Sequence, residues 1–269
     1  MGSKHLFSCT LVLLLTSGCL TPVTESEADF RLATTTSMRD SGLLDVLIEE
    51  FETLHGVDVE YVAVGTGAAL NLGKSGDVDA LIVHAPDQEV TFVDAGYGHN
   101  RTQIAWNAFV LLSPRELPET LDEALLSVVQ NEQCFVSRGD DSGTHLKEQA
   151  LWQRLNITAS LPVVDDGNGI HPTGEWYFSI GQGMGAAINM ADEKGCVTLS
   201  DRGTALQFQP NIDLNIYEYD DPITHNPYSF IPVVGGNDQG SMLMLSYLQN
   251  EGRATISTYT IHGEAAFFV

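Results

Sequence analysis

The chain has 269 residues, with 36 Asp and Glu against 12 Lys and Arg, for a formal charge of −24. This balance excludes unaided nucleic-acid binding, which needs cationic side chains to displace condensed counterions, and it disfavours docking on anionic lipid. At 43% hydrophobic residues the chain can still build a core, and acid spread over such a chain suits high salt, where screening suppresses self-repulsion; an ordinary acidic soluble protein is the plainer reading.

Lys4 precedes the apolar run Leu6 to Leu15, which passes through Ser17-Gly18 into Cys19. A cationic start, a short apolar stretch and a small-residue exit make residues 1–18 a signal peptide rather than a bilayer span. Small residues directly before a cysteine resemble a lipobox, so Cys19 is expected to carry lipid, although Thr16 stands where that pattern prefers Leu and an ordinary cleaved signal is the alternative. Residues 19–29 then form a polar tether. The mature chain is expected outside the cell, held to the membrane by lipid alone.

From Phe30 onward strands alternate with helices. Phe30 to Ala33 reads as a strand; Leu44, Leu47, Ile48, Phe51 and Leu54 recur at helical spacing, and Gly56 stops that helix. Val57 to Ala63 alternates as a strand and turns through Gly65-Thr66-Gly67 into a short helix. Ala80 to Val83 is a strand ending at His84-Ala85-Pro86, Gln88 to Ala95 returns as a helix, and Ile104 to Leu112 is a strand closed by Ser113-Pro114. The grammar then repeats: helix Leu121 to Asn131, strand Phe135 to Ser137, turn Arg138 to Thr144, and helix His145 to Leu155. Strand Trp176 to Ile180 leads through Gly183-Met184-Gly185 into an Ala-rich helix, and strand Val197 to Ser200 follows. This order predicts an α/β fold with a largely parallel sheet. Two such blocks suggest two lobes, residues 30–112 plus 227–269 and residues 113–226, with crossings near Ser113-Pro114 and Asn226-Pro227-Tyr228. A C-terminal helix, Asn237 to Asn250, is expected to return to the first lobe.

Cys134 and Cys196 each open an apolar stretch. In an oxidising compartment they can pair, or they can stand as two buried free thiols. No CxxC or Cys/His neighbourhood points to catalysis or metal, and the histidines form no HxxxH or HExxH pair.

The turns carry the chemistry. Thr34 to Ser37, Gly65 to Gly67 and Arg138 to Thr144 each place hydroxyls and unhindered N–H groups where a strand hands over to a helix. A helix N-terminus leaves backbone donors unpaired and carries partial positive charge, so such turns bind anions, unless their Ser and Thr serve only as N-caps. Arg138, one of few basic residues, can give paired hydrogen bonds to an oxyanion, with Asp140 holding the guanidinium and Asp141 facing out or capping the helix. The third glycine of a dinucleotide fingerprint is missing, no GxxxxGK[ST] exists for a nucleotide, and Ser142 lies in DSGTH rather than GxSxG.

At these turns the chain resembles the tungstate-binding lipoproteins of tungstate ABC transporters, a branch of the two-lobed type II periplasmic binding proteins. The segments are TTTSMRDSGLL (Thr34 to Leu44), VAVGTGAAL (Val62 to Leu70), LIVHAPDQEVTFVDAGYGHNR (Leu81 to Arg101), FVSRGDDSGTHLKE (Phe135 to Glu148), GQGMG (Gly181 to Gly185), TLSDRGTAL (Thr198 to Leu206) and NPYSFIPV (Asn226 to Val233). The RGDDSGT turn also looks like the R-x-D-x-S-G-T turn of phosphate-binding proteins. The resemblance implies Thr36, Ser37, Thr66, Gly67, Arg138, Ser142, Gly143 and Thr144 as ligands of a tetrahedral oxyanion, with Asp140 as support. It further implies an ABC permease with its ATPase as partner, no cofactor, no catalysis and a monomer. Trp106-Asn107-Ala108-Phe109 replaces the more usual Tyr-Asn-Asp-Phe, and Cys196-Val197 stands where Ala-Tyr is common. Molybdate, sulfate or phosphate in the same role, a phosphate-ester hydrolase, and an adhesive surface lipoprotein are the competing readings.

Overall fold

The computed structural model describes residues 29–167 and 169–269. The expected signal peptide, Cys19 and the tether up to residue 28 lie outside the described residues. In chain order the first half contains β1 (Phe30–Thr35), α1 (Thr36–Asp40), α2 (Leu43–His55), β2 (Val59–Val64), α3 (Thr66–Ser75), β3 (Ala80–Val83), α4 (Pro86–Asp94) and the long strand β4 (Thr102–Ser113). The second half follows with α5 (Leu121–Gln130), β5 (Phe135–Ser137), α6 (Gly143–Ala159), β6 (Val163–Asp165), β7 (Ile170–Pro172), β8 (Tyr177–Ser179), α7 (Met184–Lys194), β9 (Val197–Asp201), α8 (Arg202–Phe208) and β10 (Asn215–Tyr217). The chain returns through β11 (His225–Pro232) to α9 (Asp238–Gln249), α10 (Glu251–Thr258), β12 (Thr260–Ile261) and β13 (Glu264–Ala265).

Local chemistry explains where these elements begin and stop. In α2 the residues Leu43, Leu44, Leu47, Ile48 and Phe51 are buried on one face, and Gly56 ends the helix in the left-handed conformation at φ 65°. Thr120 caps α5 in a reciprocal arrangement with Glu123, whose backbone N–H donates to the Thr120 hydroxyl oxygen while that hydroxyl donates to the Glu123 carboxylate. Every residue of β3 is buried, as suits a strand covered on both faces.

The strands run in the order β2-β1-β3-β11-β4-β9-β5-β8, with β10 also pairing with β4. β1, β2 and β3 are parallel, as are β5, β8 and β9, but β11 is antiparallel to both β3 and β4, and β4 is antiparallel to β9. The expected α/β architecture is present, with antiparallel pairing at its centre. The reason is topological: β4 carries the chain out of the first half and β11 brings it back, so the two crossing strands lie side by side in opposite directions. β4 pairs with β11 up to Ala108 and with β9 from Phe109, so the exchange of partners falls inside one strand rather than at the Ser113-Pro114 turn. Helices cover both faces of each half. Phe51, Tyr228, Met244 and Tyr247 pack on one face of the first half, with Leu70, Leu81 and Phe92 on the other. In the second half Phe135, Trp152 and Leu155 lie on one side, and Met184, Ile188 and Cys196 on the other.

Cys134 and Cys196 are joined in a disulfide with Cα atoms 4.7 Å apart, which settles the open choice between bridge and free thiols. The bridge ties the start of β5 to the start of β9, and it accounts for the cysteine at position 196. Trp106 stacks on Phe268, with ring centroids 4.6 Å apart, and bonds to it through both backbone groups, so the C-terminal tail is anchored on β4.

Candidate functional site

Because β1, β2 and β3 are parallel neighbours, their C-terminal ends open at one edge of the sheet. β1 runs into α1 with Ser37, β2 runs into α3 with Thr66, and β3 ends at His84. On the other side, β5 ends at Ser137 and turns through Arg138, Gly139, Asp140 and Asp141 into α6. The two sides meet. A Cβ placed on Gly143, at the start of α6, would lie 2.8 Å from Cε1 of His84. Glycine is therefore required at position 143 for backbone and imidazole to approach, whereas a Cβ at Gly67 would meet nothing within 4 Å.

The Arg138 turn is built for a fixed guanidinium. Gly139 takes φ 59°, and a side chain there would collide with the Ser179 hydroxyl; Asp141 is also left-handed at φ 54°. Arg138 donates from Nε (3.2 Å) and Nη2 (2.6 Å) to Oδ2 of Asp140, whose Oδ1 accepts the Ser142 N–H at 3.3 Å. Arg138 is only 5% exposed, while the Asp141 side chain faces solvent. Ser142 is the N-cap of α6, its hydroxyl accepting the His145 N–H at 3.3 Å. The N–H groups of Gly143 and Thr144 precede the first possible intrahelical acceptor and point out of the helix start.

Six buried hydroxyls have no hydrogen-bond partner among the described residues, those of Thr66, Ser137, Thr144, Thr204, Tyr219 and Ser229. Thr66 and Thr144, in residues 1% and 2% exposed, are the two that lie in the first turns of α3 and α6. A buried hydroxyl without a partner costs about 1–3 kcal/mol, and at a helix start it stands beside backbone N–H groups that also lack an intrahelical partner. Ser37 is buried as well, but its oxygen is engaged, 3.1 Å from Thr35 Oγ1, 3.2 Å from His84 Nε2 and 3.4 Å from the Tyr228 hydroxyl. Thr36 is half-buried at the first position of α1.

Behind this surface runs a polar chain that the turn motifs did not reveal. His84 Nδ1 lies 2.9 Å from Asn226 Oδ1, Asn226 Nδ2 donates to Asn107 Oδ1 at 2.7 Å, and Asn107 Nδ2 donates to Asp201 Oδ1 at 3.4 Å. His84 directly follows β3, Asn226, Asn107 and Asp201 lie in β11, β4 and β9, and all four are buried. Their signal in the sequence is a polar side chain set inside an apolar strand, as Asn107 is within Ile104 to Leu112. Burial drives the His84 pKa down to about 4, with the Asn226 bond opposing and the Arg138 and Lys147 charges assisting, so the imidazole is neutral. Burial also raises Asp201, against the Thr204 bonds, the Arg138 charge and Asn107. The field of Arg138 thus reaches both His84 and Asp201. Beside His84 and Gly143 opens a cavity of about 370 Å³ bordered by Asp87, Lys147, Phe109 and Asn226.

The chain's likeness to known proteins agrees with this arrangement. The PBP superfamily domain matches residues 21–244. The chain belongs to this superfamily. It is 42% identical over 218 residues to the tungstate-binding protein TupA of Peptoclostridium acidaminophilum, covering 78% of this chain and 72% of that protein. It is 39% identical over 261 residues to a putative ABC transporter anion-binding protein of Haloferax volcanii, covering 90% of this chain and 72% of the relative. Among solved structures, the tungstate-binding protein TupA of Desulfovibrio alaskensis superposes with a TM-score of 0.73 at 36% identity, over 88% of this chain and 97% of that one. The tungstate ABC transporter structure from Geobacter sulfurreducens superposes with a TM-score of 0.73 at 39% identity, over 86% and 98%. By their names these relatives are tungstate- or anion-binding proteins, two of them of ABC transporters.

Proposed function

We propose that the chain is the solute-binding component of an ABC importer and that it captures tungstate between its two halves for delivery to a membrane permease. The observation that carries this reading is the approach of His84, after β3, to Gly143 at the start of α6, which brings the end of the first parallel strand set to the Arg138 turn, together with the partnerless buried hydroxyls Thr66 Oγ1 and Thr144 Oγ1 at the starts of α3 and α6. A tetrahedral oxyanion would exchange its water shell for these two O–H groups, the N–H groups of Gly67, Gly143 and Thr144, and the free edge of the Arg138 guanidinium. Thr36, Ser37 and Ser142 complete the proposed shell, with Asp140 as the clamp on Arg138. No bond is made or broken; contact with both sides at once favours the closed arrangement, which the permease would recognise.

The proposed lobes are residues 30–112 plus 227–269 and residues 113–226, and the exchange of partners within β4 supports a crossing in this strand, between Ala108 and Phe109 rather than at its end. The reading includes an extracellular, lipid-anchored monomer with Cys19 as the anchor, and an acidic surface adapted to salt. The formal charge of −24 supports the last point. Molybdate has the charge of tungstate and nearly its size, and is the second candidate ligand.

Calorimetric titration of the protein in high salt with tungstate, molybdate, sulfate and phosphate tests the proposal. Tungstate is expected to bind tightest and to raise the melting temperature by mass action. Binding no tighter than that of sulfate overturns the ligand, and the absence of binding by all four anions overturns the function.

A further inference from the structure

The direction of every hydrogen bond in the buried chain behind the cleft is fixed from its far end. Asp201 Oδ1 accepts the Thr204 N–H at 3.0 Å, and so remains an acceptor whether or not the carboxyl carries a proton on its other oxygen. It therefore faces the amide nitrogen of Asn107, whose oxygen accepts from the amide nitrogen of Asn226. That leaves the Asn226 oxygen toward His84, so Nδ1 of His84 carries the hydrogen and Nε2, in the neutral ring, carries a lone pair. Nε2 faces the Ser37 oxygen, so the Ser37 hydroxyl must donate to His84. The remaining contacts of the Ser37 oxygen, to Thr35 Oγ1 and the Tyr228 hydroxyl, agree, since Tyr228 accepts from Asn226 Nδ2 at 3.2 Å and is free to donate to Ser37. In this state Ser37 presents lone pairs rather than a hydrogen to an incoming oxyanion. The charge balance points the same way: the Arg138 guanidinium is paired with Asp140 and the Lys147 charge is opposed by Asp87, so each nearby cation is already offset by a carboxylate.

We infer that capture of the oxyanion is coupled to the uptake of one proton from solvent by Nε2 of His84. The imidazolium donates Nε2–H to the Ser37 oxygen, the Ser37 hydroxyl turns to the anion, and one positive charge enters the site beside the dianion. Asp201, Asn107 and Asn226 act as positioning residues that hold the added charge on the correct ring. The titratable and charged groups around His84 are Tyr228 on β11, Arg138 in the β5–α6 turn and Lys147 on α6, with Asp87 and His225 on the rim of the neighbouring cavity. None of them accepts a hydrogen bond from Nε2. This inference rests on the proposed anion-binding function.

The test is calorimetry of the whole chain with sodium tungstate, in buffers of different ionisation enthalpy, between about pH 6 and about pH 8.5, where proton linkage appears as a dependence of heat on buffer. Uptake of up to one proton is expected, with affinity falling by as much as about tenfold per pH unit across the linked range. In His84→Gln, whose amide nitrogen supplies the donor without titrating, both the buffer dependence and the pH dependence of affinity are expected to disappear. Binding without proton uptake in the natural chain overturns the inference and leaves the function intact. Equal uptake in the variant also overturns it, by assigning the proton to another group such as Glu148. Should the variant fail to fold, the buffer series on the natural chain still decides. No heat with any oxyanion removes the function and this inference together.

Discussion

Replacing Thr144 or Thr66 with Val separates the cost of a binding group from its use. Valine keeps the shape of threonine and removes only the hydroxyl. Both hydroxyls are buried and have no partner among the described residues, so each burdens the unliganded protein by about 1–3 kcal/mol of desolvation. Each substitution is expected to stabilise the free protein by about 1 kcal/mol, a rise of roughly 2–4 °C in melting temperature for a chain of this size. The same substitution removes a hydrogen bond to a charged ligand worth about 1.5–3 kcal/mol, so tungstate affinity is expected to fall about tenfold to a hundredfold. Because the two hydroxyls lie on different helices, α3 and α6, and share no hydrogen-bond partner, the double variant should combine the two effects nearly additively in the free state. Differential scanning fluorimetry without ligand and calorimetric titration with tungstate measure the two quantities. A variant that destabilises the free protein, or that binds tungstate as the natural chain does, refutes the assignment of that hydroxyl to the ligand.

Gly143→Ala places a methyl group 2.8 Å from Cε1 of His84; the strain of about 1–3 kcal/mol is relieved only when the two sides part, so tungstate affinity should drop about fivefold to a hundredfold while the unliganded melting temperature changes little. Glu148, buried against the Trp152 and Tyr177 donors, is pushed up to about 7 by burial. Its folded pKa lies above the unfolded value of 4.5, so its contribution is fully present below about pH 4.5 and is lost as pH rises through about 7. Urea titrations of Glu148→Gln against the natural chain should show a difference that grows in favour of the variant over that range, and a constant difference would contradict the burial argument. Comparing the two chains cancels His84, whose depressed pKa acts in the opposite direction, withdrawing stability as pH falls. Reduction of the Cys134–Cys196 bridge, which spans 62 residues, should lower unfolding free energy by about 4 kcal/mol through the released loop entropy, measured by denaturant titration with and without reductant.

Much of the scaffold was legible because it depends on local periodicity. The α2 face repeats at helical spacing, β3 is an uninterrupted apolar run, and Gly56 ends a helix in the conformation that only glycine adopts cheaply. The regions that gave no reading, such as the β6–β7 hairpin, β10 and the small β12–β13 pair, are short segments whose pairing is decided by partners elsewhere. The antiparallel centre of the sheet was equally hidden, since a strand's direction follows from the path of the chain and not from its residues.

For the proposed site, the sequence by itself placed the candidate donors. Hydroxyls and glycines at Thr66 and at Ser142 to Thr144 stand at helix starts wherever the helices pack, and the Arg138–Asp140 clamp is local to one turn. Only the tertiary structure decided which of those donors remain unused, that Gly143 meets His84 across the two halves, and that His84, Asn226, Asn107 and Asp201 form one directed chain. The physical reason is that partnership is a property of distance in space: a hydroxyl or an imidazole acquires its hydrogen-bond direction and its charge state from neighbours that lie far away along the chain, and no spacing rule contains them.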